Sequence, residues 1–259
     1  MSIEALPFVN WIFWAALSAG TALVVGLTEL LGGTTRGYRL FMAWLLTGLA
    51  VILVVSELAL PGGAVAGRTA AVRTPLVAAL ALGALAYLVA SLLRRPRSGI
   101  ALATGLVGLA ALVSVALAGG SRSAPLFAGQ LVLAALALGA VNASMLLGHW
   151  YLVTPRLSPA PLRRMMWILL GALAIQLVAF GLALVTVGDE PIDGTIAWLT
   201  WLRLAAGLLL PMLVTVLALL ASRAASLQAS TGLLYIGLAL VMAGSIAGAS
   251  ITYLTGVPV

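Results

Sequence analysis

The sequence predicts an all-α integral membrane protein of eight transmembrane helices with no soluble domain, and two observations carry that expectation. Hydrophobic residues make up 63% of the 259-residue chain, mean hydropathy is +1.22, and only 7% of residues are charged. A soluble domain carries about 25% charged residues; a chain this apolar could not cover its own surface, so its solvent must be lipid. The apolar residues also fall into runs of about the twenty residues that cross a hydrocarbon core of roughly 30 Å. The period-two alternation of a membrane β-barrel is missing from them.

Eight runs qualify. Helix 1 is expected over 8–31; it is too long for a signal-peptide core and lacks a basic flank and cleavage site, so it should remain as a helix. Helix 2, over 40–60, stops before Pro61-Gly62-Gly63, and helix 3, over 75–93, has Pro75 at its start and Arg94-Arg95 at its end. Helix 4 covers 100–118 up to Gly119-Gly120, and helix 5 covers 126–153 after Pro125. Helices 6, 7 and 8 are expected over 165–187, about 198–221, and 232–254. Each boundary carries Pro, Gly or Arg, the residues that end helices. Pro211 inside helix 7 should kink it and free a carbonyl. Gly105, Gly108, Gly171, Gly207 and the stretch GSIAG (244–248) offer small faces for helix packing or self-association.

All thirteen basic residues are arginine. The loops after helices 1, 3, 5 and 7 hold Arg36, Arg39, Arg94, Arg95, Arg97, Arg156, Arg163, Arg164 and Arg223. The opposite side holds Arg68, Arg73 and Arg122, with Arg203 just inside helix 7. Positive charge favours the cytoplasmic side, so both termini and the acidic stretch GDEPIDG (188–194) are expected outside, across a bacterial-type cytoplasmic membrane. Arg94, Arg95, Arg97, Arg156, Arg163 and Arg164 read as contacts to anionic lipid headgroups. The formal charge of +7 is thereby accounted for without nucleic acid as a partner.

Several chemistries are excluded by composition. Without lysine there is no Schiff base, and without cysteine there is no disulfide, thiolate nucleophile, iron–sulfur cluster or thiolate zinc site. The single histidine, His149, excludes haem ligated between two histidines of this chain, and no metal cluster or nucleophile–base set is visible.

The informative residues are the polar ones within apolar runs, because each is costly there. Glu29 ends helix 1 in GLTELLGG; it either pairs with Arg36 or Arg39 or serves as a proton acceptor at a mouth. Glu57 and Arg203 sit at similar depth near the outer ends of helices 2 and 7, as candidates for an ion pair or an outward-facing anion or headgroup site; the competing reading is snorkelling, with Trp198 and Trp201 as interface anchors. Asn142 and His149, seven residues apart on helix 5, share a face, with His149 one turn from the helix end. Imidazole titrates near neutral pH, so His149 beside Glu29 would handle a proton or hold a quinone headgroup, with Trp150 and Tyr151 as walls. The competing reading is a helix end, with aromatic belt, basic turn and a histidine on the helix dipole. Gln130 and Gln176 read as interhelical hydrogen bonds.

A faint internal resemblance, ALSAGTALVVG in helix 1 to ALGAVNASMLLG in helix 5 and WLLTGLA (44–50) to WILLGAL (167–173), would arrange the helices as two parallel four-helix halves. Three functions follow from these residues. The first is a non-catalytic membrane subunit or anchor of a larger, quinone-contacting respiratory complex. The second is a proton-coupled secondary transporter, and the third is an intramembrane lipid-modifying enzyme.

Overall fold

The computed structural model describes residues 6–61, 64–95, 97–117, 124–154, 157–187 and 194–255. Among them there is no strand. Eight helices are long and apolar enough to cross a membrane. They are α1 (Leu6–Leu31), α2 (Arg36–Leu58), α3 (Ala64–Leu92), α4 (Ser98–Leu117), α5 (Ala124–Val153), α6 (Ala160–Val187), α7 (Ala197–Arg223) and α8 (Leu227–Thr255).

Four starts differ from the sequence expectation by four residues or more: α8 begins at Leu227 instead of 232, and the other three have a local reason. The α2 helix begins at Arg36, where the Thr35 hydroxyl accepts from the Tyr38 N–H at 3.3 Å and caps the first turn. The α6 helix begins at Ala160 with Pro161 in its first turn, a position whose N–H has no helical partner anyway. Arg36, Arg39, Arg163 and Arg164 therefore project from helices rather than loops. The α3 helix begins at Ala64, so Pro75 lies inside it instead of starting it. The ring there removes one hydrogen bond to the carbonyl four residues back, a loss that neighbouring helices can offset.

Two other helix ends match each other. Arg94 and Ala225 follow α3 and α7 in the left-handed region, with φ of 57° and 58°. In each case the next N–H reaches back to a carbonyl in the last turn, Arg95 to Ala90 at 2.9 Å and Ser226 to Ala221 at 3.0 Å. This is the hydrogen-bond pattern of a Schellman cap, built here without glycine.

Packing is organised around α1 and α5, whose apolar windows are 78% and 72% buried against 28–44% for the other helices. From α1 to α4 each helix packs on the next, and α4 closes back onto α1. The same closed sequence of contacts runs from α5 to α8. The two rings meet chiefly along α1 and α5. There the backbones touch: a Cβ on Gly20 would collide with the Ala135 carbonyl, and one on Gly139 with the Gly20 carbonyl. One turn further, Asn142 donates to the Thr21 hydroxyl at 3.1 Å. Tyr38 adds a second tie between the rings, donating to the Ala143 carbonyl at 3.0 Å.

The α7 helix is interrupted. Residues Ala205–Leu209 form a π-helical turn, and the Leu210 N–H bonds the Ala205 carbonyl. Pro211 follows directly. Widening the turn moves carbonyls away from the proline ring, which would otherwise clash with the one four residues back. The widened turn lies against α8, with Gly207 and Gly244 in backbone contact. Gly105 and Gly108 likewise receive α1, at Leu23 and Ala19, whereas Gly171 faces open space and mediates no close approach.

Candidate functional site

One end of the bundle, where α1 and α3 finish and α2 and α4 begin, carries an open basin of about 470 Å³. It is lined by Glu29, Arg36, Arg39, Arg94, Arg95, Arg97 and Ser98. Helix geometry assembles it. The cap at Thr35 sets Arg36 and Arg39 on the first turn of α2, and the left-handed turn at Arg94 sends the chain across to Arg97 and α4.

Glu29 is the sole acid of the basin. Its Oε1 accepts from the Tyr87 hydroxyl at 2.7 Å and from Arg97 Nε at 3.3 Å. The carboxylate is thus committed to α3 and α4, not to Arg36 or Arg39. Five guanidinium groups against one carboxylate leave the lining at a formal +4. Arg39 Nε is buried with no hydrogen-bond partner, an arrangement that costs about 1–3 kcal/mol unless something accepts from it. Guanidinium groups present paired donors whose spacing matches carboxylate and phosphate oxygens, so the basin suits a multiply negative group.

Glu29 and His149 are not brought together. His149 is exposed on α5, and its Nδ1 lies 3.3 Å from the Tyr235 hydroxyl of α8, with the rings edge to face. Trp150 packs on Gly37 of α2, and the Tyr151 hydroxyl donates to the Ser158 carbonyl at 2.8 Å. Consecutive helical residues point about 100° apart, so His149, Trp150 and Tyr151 reach three different partners and do not wall one pocket. Asn142 is buried against Thr21, deeper in the bundle. Arg164 donates to the Leu31 carbonyl at 3.2 Å and caps the end of α1. Arg163, half-buried at the end of the first turn of α6, lies outside the basin lining, and Arg156 lies outside the described residues.

At the opposite end the expected pair of Glu57 with Arg203 is replaced by two separate arrangements. Glu57 is bound by Arg73 of α3, Nε to Oε2 at 2.9 Å and Nη2 to Oε1 at 3.1 Å. The Thr74 hydroxyl donates to Oε1 at 2.6 Å, Arg73 Nη1 donates to the Thr69 hydroxyl, and the guanidinium lies 5.5 Å from the Trp11 ring centroid. Arg73 wins because α3 runs well beyond Pro75, which carries it into the helix beside Glu57. Arg203, only 3% exposed, instead donates from Nη2 to Gln176 Oε1 of α6 at 2.5 Å. Gln176 in turn donates to the Leu133 carbonyl of α5 at 3.2 Å, the interhelical bond expected of it. Tyr38, Tyr87 and Arg73 were not singled out by sequence. Of the three only Tyr87 lies inside an expected run; Tyr38 and Arg73 each stand two residues before one.

Comparison with known proteins adds no relative: no family model matches the chain, and neither curated proteins nor solved structures give a significant match.

Proposed function

We propose that this chain is a non-catalytic membrane subunit that docks an anionic group in its arginine basin. The basin itself carries this reading: about 470 Å³, open, and lined by five arginines against one already paired glutamate. The excess of arginine at that end favours a cytoplasmic orientation. The group received is the phosphate of an anionic lipid headgroup or the acidic segment of a neighbouring subunit. In an electron-transfer assembly, the exposed His149 and Tyr235 would be the donors offered to a quinone carbonyl.

The arrangement as two parallel four-helix halves belongs to the same proposal. It is supported by the two closed rings and by Thr21 meeting Asn142, the residues that the helix 1 and helix 5 resemblance aligns. Trp44 and Trp167, aligned in the same way, are both exposed, and α3 and α7 share the same cap. A transporter is the second reading, favoured by the buried Arg203 in a cavity lined by α1, α5, α7 and α8.

One experiment separates them. The chain is extracted in native lipid and analysed by mass spectrometry, as wild type and as the triple variant R94Q/R95Q/R97Q. The subunit reading expects a co-purifying subunit or anionic lipid that the triple variant loses. Purification without either, together with substrate-dependent flux in proteoliposomes, overturns it in favour of the transporter.

A further inference from the structure

The two arginines at the end opposite the basin occupy matching places, one on α3 facing α2 and one on α7 facing α6. They differ in what meets them. Arg73 presents its Nε–Nη2 edge to both oxygens of the Glu57 carboxylate. Arg203 presents Nη2 to the single amide oxygen of Gln176, and its Nε is buried with no partner. The amide places one neutral oxygen where the carboxylate places two charged ones. Among the described residues no carboxylate pairs with Arg203.

A cavity of about 30 Å³ has Arg203 in its lining. Its lining includes Phe13, Gln130, Arg203, Ser245 and Thr252. Gln130 Oε1 is also buried without a partner. The apolar walls are Ile12, Phe13 and Leu138. Roughly 10–15 Å³ suffices for one water, so the space admits a group of two or three heavy atoms. An uncompensated guanidinium among apolar walls favours an anion over water, because a buried charge without a partner is costly.

We infer that this cavity binds a small monovalent anion of the size of formate or chloride, which supplies Arg203 with the counter-charge that Glu57 supplies to Arg73. The anion accepts from the Arg203 guanidinium where it lines the cavity. Gln130, in the same lining, offers its amide Nε2 as a second donor. The Ser245 hydroxyl, on the α8 wall, is a further donor within the lining, whereas the Thr252 hydroxyl already donates to the Gly248 carbonyl. This site stands on the geometry of the two arginines and is independent of the docking role given to the basin.

The test uses full-length protein in lipid–detergent micelles, in a buffer whose anion is bulky gluconate. Formate or chloride replaces gluconate at constant ionic strength, and thermal unfolding is followed by tryptophan fluorescence. The midpoint should rise saturably, by ~3–6 °C at tenfold the dissociation constant. Q176E supplies the missing carboxylate from within and should abolish that rise while raising the midpoint in gluconate. The basin is intact in Q176E, so a response arising there would persist. If Q176E fails to fold, R203Q removes the charge and should also abolish the rise. A flat midpoint in the wild type, or an unchanged response in whichever variant folds, overturns the assignment.

Discussion

At the scale of single residues, the Glu57–Arg73 contact is the more deeply buried of the two ion pairs among the described residues. Both side chains are almost fully buried, at 5% and 3% exposure. Removing one partner leaves the other as an uncompensated buried charge, a loss of about 3–5 kcal/mol. Glu57→Ala should therefore lower unfolding stability by that amount in detergent titrations. A change below about 1 kcal/mol, the scale of an exposed pair, would show that water reaches Arg73. Sequence reasoning located the acid and missed its partner for one reason. Reading Pro75 as the start of helix 3 put Arg73 in a loop, and Arg203 was then the nearest cation at that depth. The neighbours of Glu29 were hidden in a similar way. Tyr87 and Arg97 lie 58 and 68 residues along the chain, and no local pattern links them.

Elements were far more legible, because their number and order depend on run length and punctuation alone. Boundaries were less so. Arginines in the first turns of α2 and α6 look like loop in sequence, yet they project outward while the backbone remains helical. The non-glycine caps were not legible either, since nothing in Arg94 or Ala225 marks a left-handed turn. Their cost is testable. A left-handed conformation is unfavourable by about 1–2 kcal/mol for a residue with a Cβ, and glycine gives part of that back as lost chain entropy. Ala225→Gly should stabilise the protein by about 0.5–1 kcal/mol, read as an upward shift of the unfolding midpoint. Lower stability would indicate that the Ala225 methyl packs usefully where the cap meets α8.

The whole molecule depends on the contact between α1 and α5. Gly20 has no room for any side chain, whereas Gly48 faces open space on α2. Gly20→Leu should abolish the monodisperse peak in size-exclusion chromatography, and Gly48→Leu should leave it in place. Equal behaviour of the two variants would mean that the halves can part without unfolding. In the sequence, the faint match of helix 1 to helix 5 contained this seam without revealing it. Alanine and leucine align with themselves everywhere, and nothing in either stretch marks Thr21 and Asn142 as partners.

The same seam sets a schedule for synthesis. The α1 helix is the most buried of the eight, and its partner across the seam, α5, begins roughly ninety residues after α1 ends. At ~5–20 residues per second, several seconds pass in which α1 has left the ribosome and α5 has not been made. Throughout that interval Thr21 lacks Asn142, and the flat groove at Gly20 has only lipid or the insertion machinery against it. A nascent chain halted after α4 should therefore crosslink to the insertion machinery through α1, and a chain extended past Val153 should release it.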